Sequence, residues 1–153
     1  MKNEYTVVQP EVIVGLGDNT TGIPDHQDQI IHLHIHLEDW LGDDLVECFP
    51  CYLVTENLKN LLEKSKLSGF EFYDVEITLD EYFFENFRLA IDLPTFYWFK
   101  VIEKDQDVFI DDNLKLNVSN FFLSFIKKNA SIKHMDIDPQ RTDTDDFLDN
   151  LFS

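Results

Sequence analysis

Apolar residues recur along this chain in two spacings, and the clearest switch between them lies from Cys48 to Ile77, CFPCYLVTENLKNLLEKSKLSGFEFYDVEI. Tyr52, Leu53 and Val54 are strand formers that follow a proline, and Thr55 then stands where a helix N-cap belongs, its hydroxyl able to accept from the amides of a first turn. Leu58, Leu61 and Leu62 recur at helical spacing while Lys59, Glu63, Lys64 and Lys66 take the other face, and Gly69 is expected to end the helix in a left-handed turn. Beyond it Phe70 and Phe72 alternate with charge before the apolar phase shifts to Tyr73, Val75 and Ile77, which predicts a bulge or a strand covered on both faces. The same order returns late in the chain. Leu114, Leu116 and Val118 alternate as a strand, Ser119 occupies a cap position, Phe122, Phe125 and Ile126 follow at helical spacing, and Ile132, Met135 and Ile137 come after. Two strand–helix–strand units are therefore expected, either an ancestral duplication or two uses of one supersecondary motif.

Around these units the pattern is simpler. One strand is predicted at Glu11–Val14 after Pro10, and residues 15–29 read as a long loop; Gly15 and Gly17 in it do not make a dinucleotide fingerprint, because position 20 is Thr and no amphipathic helix follows. From Ile31 to Leu37 alternation is strict, with Ile31, Leu33, Ile35 and Leu37 on one face and His32, His34 and His36 on the other. Residues 78–92 are expected to form a short helix or irregular segment over the sheet. Residues 93–102 form a central strand with Phe96 and Trp98 on one face and Tyr97, Phe99 and Val101 on the other, and residues 103–112 an acidic loop. The fold class that follows is α+β, a mixed β-sheet with two strand–helix–strand units packed on it. Residues 1–135 are read as a single globular domain and 136–153 as an acidic, mobile tail in which Phe147, Leu148, Leu151 and Phe152 supply one apolar helical face.

Totals bound the function classes. A chain of 153 residues with 14 phenylalanines has enough large apolar side chains for one core without disulfides or metals. Thirty acidic against 12 basic residues give a formal charge of −18, which disfavours nucleic acid and anionic membranes as partners and fits equally a basic protein partner or acidity that merely keeps the chain in solution. The N-terminus MKNEYTVVQPEV lacks the apolar core of a signal peptide and no run approaches the roughly 18 apolar residues of a membrane span, so a cytoplasmic location is expected.

Three clusters are candidate chemistry. Three imidazoles on one strand face have the spacing to share a zinc or copper ion, with Cys48 and Cys51 as further ligands, but the incomplete ligand set makes a solvated or partner-facing ladder the simpler reading. The turn after Trp40 gathers Asp43 and Asp44 behind Gly42; a solvated acidic turn or an acidic contact surface fits it better than a cation site or an acid–base pair. The C-F-P-C pair is followed by strand-like residues and not by the helix N-terminus that activates a redox thiol, so buried structural cysteines are expected. No catalytic residue and no cofactor is predicted.

The segments WLGDDL, FPCYLVTENL, LSGFEF, LPTFYWFKV and LKLNVSNF, in that order over residues 31–128, resemble the small acidic immunity proteins encoded beside bacterial polymorphic toxins. That resemblance implies a dedicated inhibitor that binds and occludes one cognate toxin domain and performs no chemistry. The contact residues expected for it, from charge and aromatic anchoring, are Trp40, Asp43, Asp44, Glu81 and Glu85. A metal-binding module or metal-dependent enzyme using His32, His34 and His36, and a scaffold domain, are the alternatives.

Overall fold

The structure, a computed structural model, describes residues 4–13, 15–22, 27–87, 92–102 and 106–137. Along the chain run β1 (Tyr5–Gln9), β2 (Glu11–Val12), β3 (Thr21–Gly22), a 3-10 turn (Gln27–Gln29), β4 (Ile30–His32), β5 (His34–Leu37), β6 (Leu45–Cys48), β7 (Cys51–Thr55) and α1 (Glu56–Glu63). These are followed by β8 (Phe70–Tyr73), β9 (Glu76–Leu79), α2 (Phe83–Asn86), β10 (Phe96–Val101), β11 (Val108–Ile110), β12 (Leu116–Ser119), α3 (Asn120–Asn129) and β13 (Asp136–Ile137). The class is α+β. A five-stranded mixed sheet has the order β2-β6-β7-β10-β8 and a four-stranded antiparallel sheet the order β11-β12-β1-β13, with β3–β4 and β5–β9 as two-stranded pairs.

Each expected unit has a sheet of its own, and the two are built alike. In the first, an aspartate precedes a hairpin, Asp44 before β6–β7; the cap Thr55 then starts α1, and β8 returns to the sheet with the antiparallel strand β10 between it and β7. In the second, Asp107 precedes β11–β12, Ser119 starts α3, and β13 returns with β1 inserted between it and β12. The correspondence extends to atoms. Thr55 Oγ1 accepts from Leu58 N–H and donates to Asp44 Oδ1 at 2.6 Å, while Thr55 N–H donates to Asp44 O at 3.0 Å. Ser119 Oγ accepts from Phe122 N–H and donates to Asp107 Oδ1 at 2.8 Å, while Ser119 N–H donates to Asp107 O at 2.7 Å. Leu45, Val54, Leu58 and Leu62 in one unit and Val108, Val118, Phe122 and Ile126 in the other all lie in the same core.

The five-stranded sheet divides the apolar interior, because alternation sends neighbouring residues of one strand to opposite faces. Leu45, Tyr52, Val54, Phe99 and Val101 join α1, α3 and the four-stranded sheet in a first core; Val46, Cys48, Cys51, Leu53, Phe96 and Trp98 join Ile35, Leu37, Trp40 and Phe83 in a second. Strand β10 is the shared wall, with Phe96 and Trp98 to one side and Phe99 and Val101 to the other, as its two apolar faces predict.

Several expectations are corrected. β1, absent from the sequence reading, is an inner strand of the four-stranded sheet, and the strand expected at Glu11–Val14 shrinks to Glu11–Val12, with Val14 outside the described residues. The acidic loop contains β11. Leu114 is in the β11–β12 turn at φ 61° and not in a strand. The apolar phase shift after Phe72 separates two strands, β8 and β9, that belong to different sheets. Gly69 does not end α1, which stops at Glu63 with Lys64 as C-cap; at φ +104° it lies where the first unit meets the second, and a Cβ there would come 2.9 Å from Val108 O. Asp136 and Ile137, the first residues of the expected tail, pair with β1; residues 138–153, with the expected apolar face of the tail, lie outside the described residues. No described helix is long and apolar enough to cross a membrane.

Candidate functional site: the histidine ladder and the outer acidic face

Strand β5 seals the second core with Ile35 and Leu37 and turns His34 and His36 the other way, where parallel β9 meets it in the register His34↔Glu76 and His36↔Thr78. The alternation expected from residue 31 holds only from Leu33. Ile30 is buried and Ile31 is 82% exposed, because β4 is a separate strand paired with β3.

On that outer side the polar groups form a directed chain. Asn19 N–H donates to His34 Nδ1 at 3.0 Å, so the imidazole carries its proton on Nε2, which donates to Thr78 Oγ1 at 2.7 Å. The Thr78 hydroxyl is left to donate to His36 Nδ1 at 2.8 Å, and His36 Nε2–H then points at Asp80 Oδ1 at 3.3 Å. Beside it His32 Nε2 meets Glu76 Oε1 at 2.8 Å while Asn19 Nδ2 donates to Glu76 Oε2, and these two bonds, His32 first, hold the Glu76 carboxyl below the usual range. The turn at residues 17–20 closes over His34: Gly17 N–H and Thr20 Oγ1 donate to its carbonyl, and a Cβ on Gly17 would fall 2.2 Å from the ring.

Both nitrogens of His34 and of His36 have protein partners, and Cys48 and Cys51 line the second core, on the other side of β5 from the imidazoles. Among the described residues no three His, Cys, Asp or Glu side chains are placed to hold a metal ion. The cysteines face each other across the β6–β7 hairpin, whose Phe49–Pro50 peptide is cis, and burial pushes both thiols up to about 12, far from the thiolate that a nucleophile needs.

Three of the five expected contact residues are interior. Trp40 is 3% exposed, donates Nε1–H to Asp43 O at 2.8 Å and packs edge-on to Phe96. Asp43, fully buried, accepts from Lys133 and His134 N–H at 2.8 and 2.7 Å; Asp44 accepts from Ser131 N–H at 2.8 Å as well as from Thr55. They tie the segment after α3 to the turn before β6, so neither a solvated acidic turn nor an acidic contact surface is formed by them. Glu11 closes the same turn by accepting from Leu41 and Asp43 N–H, and burial pushes its carboxyl up despite those bonds. Glu81 and Glu85, by contrast, are exposed on either side of the start of α2, and their carboxylates have no ion-pair or hydrogen-bond partner among the described residues.

Charge is distributed by region. Residues 3–58 contain 11 acids and no lysine or arginine, and residues 67–87 contain no lysine or arginine either. The basic residues near α1 and α3, at Lys59, Lys64, Lys66, Lys127 and Lys128, belong to the other side of the five-stranded sheet, in the layer that holds the first core. Sequence reasoning missed this division, although the spacing of lysines shows it. No protein-family model, no curated protein and no solved structure matches this chain.

Proposed function

We propose that this protein is a non-enzymatic inhibitor of the immunity type, which works in the cytoplasm by binding and occluding a basic toxin domain. The observation that supports it is the lopsided charge: a chain of −18 whose first 58 residues carry, past Lys2, no lysine or arginine. A toxin that acts on nucleic acid presents lysine and arginine to phosphates, and a rigid polyanionic surface occupies the same groups while its field speeds encounter. The polar groups that look catalytic are instead committed within the fold, in the His34–Thr78–His36–Asp80 chain and the carboxylates at Asp43 and Asp44.

The test is to co-express the chain with the products of the genes beside its own and to assay each of them for toxicity. Survival of the host, a stoichiometric complex, blocked toxin activity and an association rate that falls at least about tenfold from low to physiological salt are expected. A complex that leaves the toxin active would make the chain a scaffold; binding indifferent to salt would remove the electrostatic basis.

A further inference from the structure

We infer that the partner-binding face is the Leu79–Asn86 corner, with Phe84 and Tyr82 as anchors, and that the surface it accepts is apolar at its centre and ringed by lysine or arginine. This rests on the inhibitor reading for the identity of the partner, but the face itself follows from geometry. Phe84, on a helix of four residues, is 78% exposed, Tyr82 at its N-cap 56%, and Leu79 at the end of β9 37%. Scattered exposed apolar residues are ordinary on a protein surface; a tyrosine and a phenylalanine two positions apart, flanked by Glu81 and Glu85 and preceded by Leu79, are an apolar centre with a charged rim.

The corner is also held in place before any partner arrives. Phe83, between the two exposed rings, is 2% exposed in the second core, 5.1 Å from Phe87 and edge-on to Phe84 at 5.4 Å. Asp80 fixes the turn into α2: its carbonyl accepts from Phe83 N–H, its carboxylate accepts from Tyr82 N–H, and its own N–H donates to Leu37 O at 2.8 Å. At the other end Asn86 Nδ2 donates to Glu38 O at 3.2 Å. The aromatic rings therefore stand on a pinned backbone, so binding orders little more than two side chains.

Charge selects the occupant. Glu81 and Glu85 lack counter-ions among the described residues, and Asn86 ties the same element to the backbone of Glu38; the next basic residue along, Arg88, lies outside the described residues. A neutral or acidic partner would leave these carboxylates without compensation as they lose water, whereas lysine or arginine would pair with them at the rim while Phe84 fills an apolar pocket.

Two measurements on the full chain test this. In the first, 15N-labelled protein is titrated with two cationic peptides of equal charge, one of lysines alone and one alternating lysine with leucine. Amide shifts concentrated on residues 79–86 are expected, the mixed peptide binding at least about tenfold tighter, with that advantage lost in Phe84→Ala. In the second, Phe84→Ala, Tyr82→Ala and Glu81→Lys/Glu85→Lys are assayed for neutralising the adjacent-gene toxin, with unchanged thermal unfolding confirming that they fold. Shifts spread evenly over the acidic surface, or a preference for the mixed peptide that Phe84→Ala keeps undiminished, would overturn the assignment. A toxin still fully neutralised by Phe84→Ala would refute this face and leave the inhibitor reading standing; no toxin neutralised, with peptide shifts still centred on residues 79–86, would do the reverse.

Discussion

At the scale of single residues, this protein spends its acidic side chains in two ways. Asp43 and Asp44 act as acceptors for backbone amides some 90 residues away, so their charge is consumed inside the fold. Replacing Asp44 with Ala leaves Ser131 N–H and the Thr55 hydroxyl without their acceptor, and a loss of about 2–3 kcal/mol in urea unfolding is expected, against less than about 0.5 kcal/mol for Glu81→Ala. Equal effects of the two would mean that Asp44 is solvated after all. Glu76 makes a different case, because its carboxyl is held low by His32 and then Asn19. A depressed carboxyl favours the folded state only while ionised, so its contribution is present above the ordinary value of 4.5 and is lost as pH falls through the lower folded value. The stability difference between parent and Glu76→Gln should accordingly shrink on acidification below about pH 4.5, and a difference constant from pH 7 to 3 would contradict this. Nothing in the local sequence distinguishes these roles. Asp43 and Asp44 behind Gly42 look like any solvated turn, since the donors that bury them lie at the other end of the chain; Trp40 looks like an anchor for the same reason.

At the scale of elements, the reading from sequence succeeds where the signal is local. The caps Thr55 and Ser119, both helices and the two-faced strand β10 follow from hydroxyl placement and spacing within a dozen residues. It fails where pairing decides. β1 is short and follows a charged start, yet becomes an inner strand because β12 and β13 hold both its edges; β11 is hidden among acids whose carboxylates serve its turn and the Ser119 cap. Ile31 keeps the alternation but not the face, because the chain changes partner strand at Leu33. The matching Asp–hairpin–cap–helix units make a prediction of equivalence. Thr55→Ala and Ser119→Ala should each cost about 1 kcal/mol or somewhat more, since each also strips a donor from its aspartate, while the exchanges Thr55→Ser and Ser119→Thr should be tolerated. A cap whose removal costs nothing would break the equivalence, whatever the strand order says.

At the scale of the whole molecule, the two cores share one sheet, and that decides how the protein comes apart. Both tryptophans, Trp40 and Trp98, report on the second core, while α1 and α3, the two longer helices, pack into the first. Two independent cores would lose tryptophan fluorescence and helical circular dichroism at different denaturant concentrations. Here β7 and β10 place alternate residues in each core, Leu53 and Trp98 in one, Tyr52, Val54 and Phe99 in the other, so neither can empty without exposing the back of the other. Coincident transitions by both probes are therefore expected, and Phe99→Ala, which excavates the first core by one large side chain, should lower both midpoints together by an amount corresponding to about 3–5 kcal/mol. Fluorescence that holds its midpoint in Phe99→Ala while the helical signal shifts would show that the cores are uncoupled. It would also remove the support for a rigid outer face, because α2 and its exposed rings stand on Phe83, and Phe83 stands on the second core.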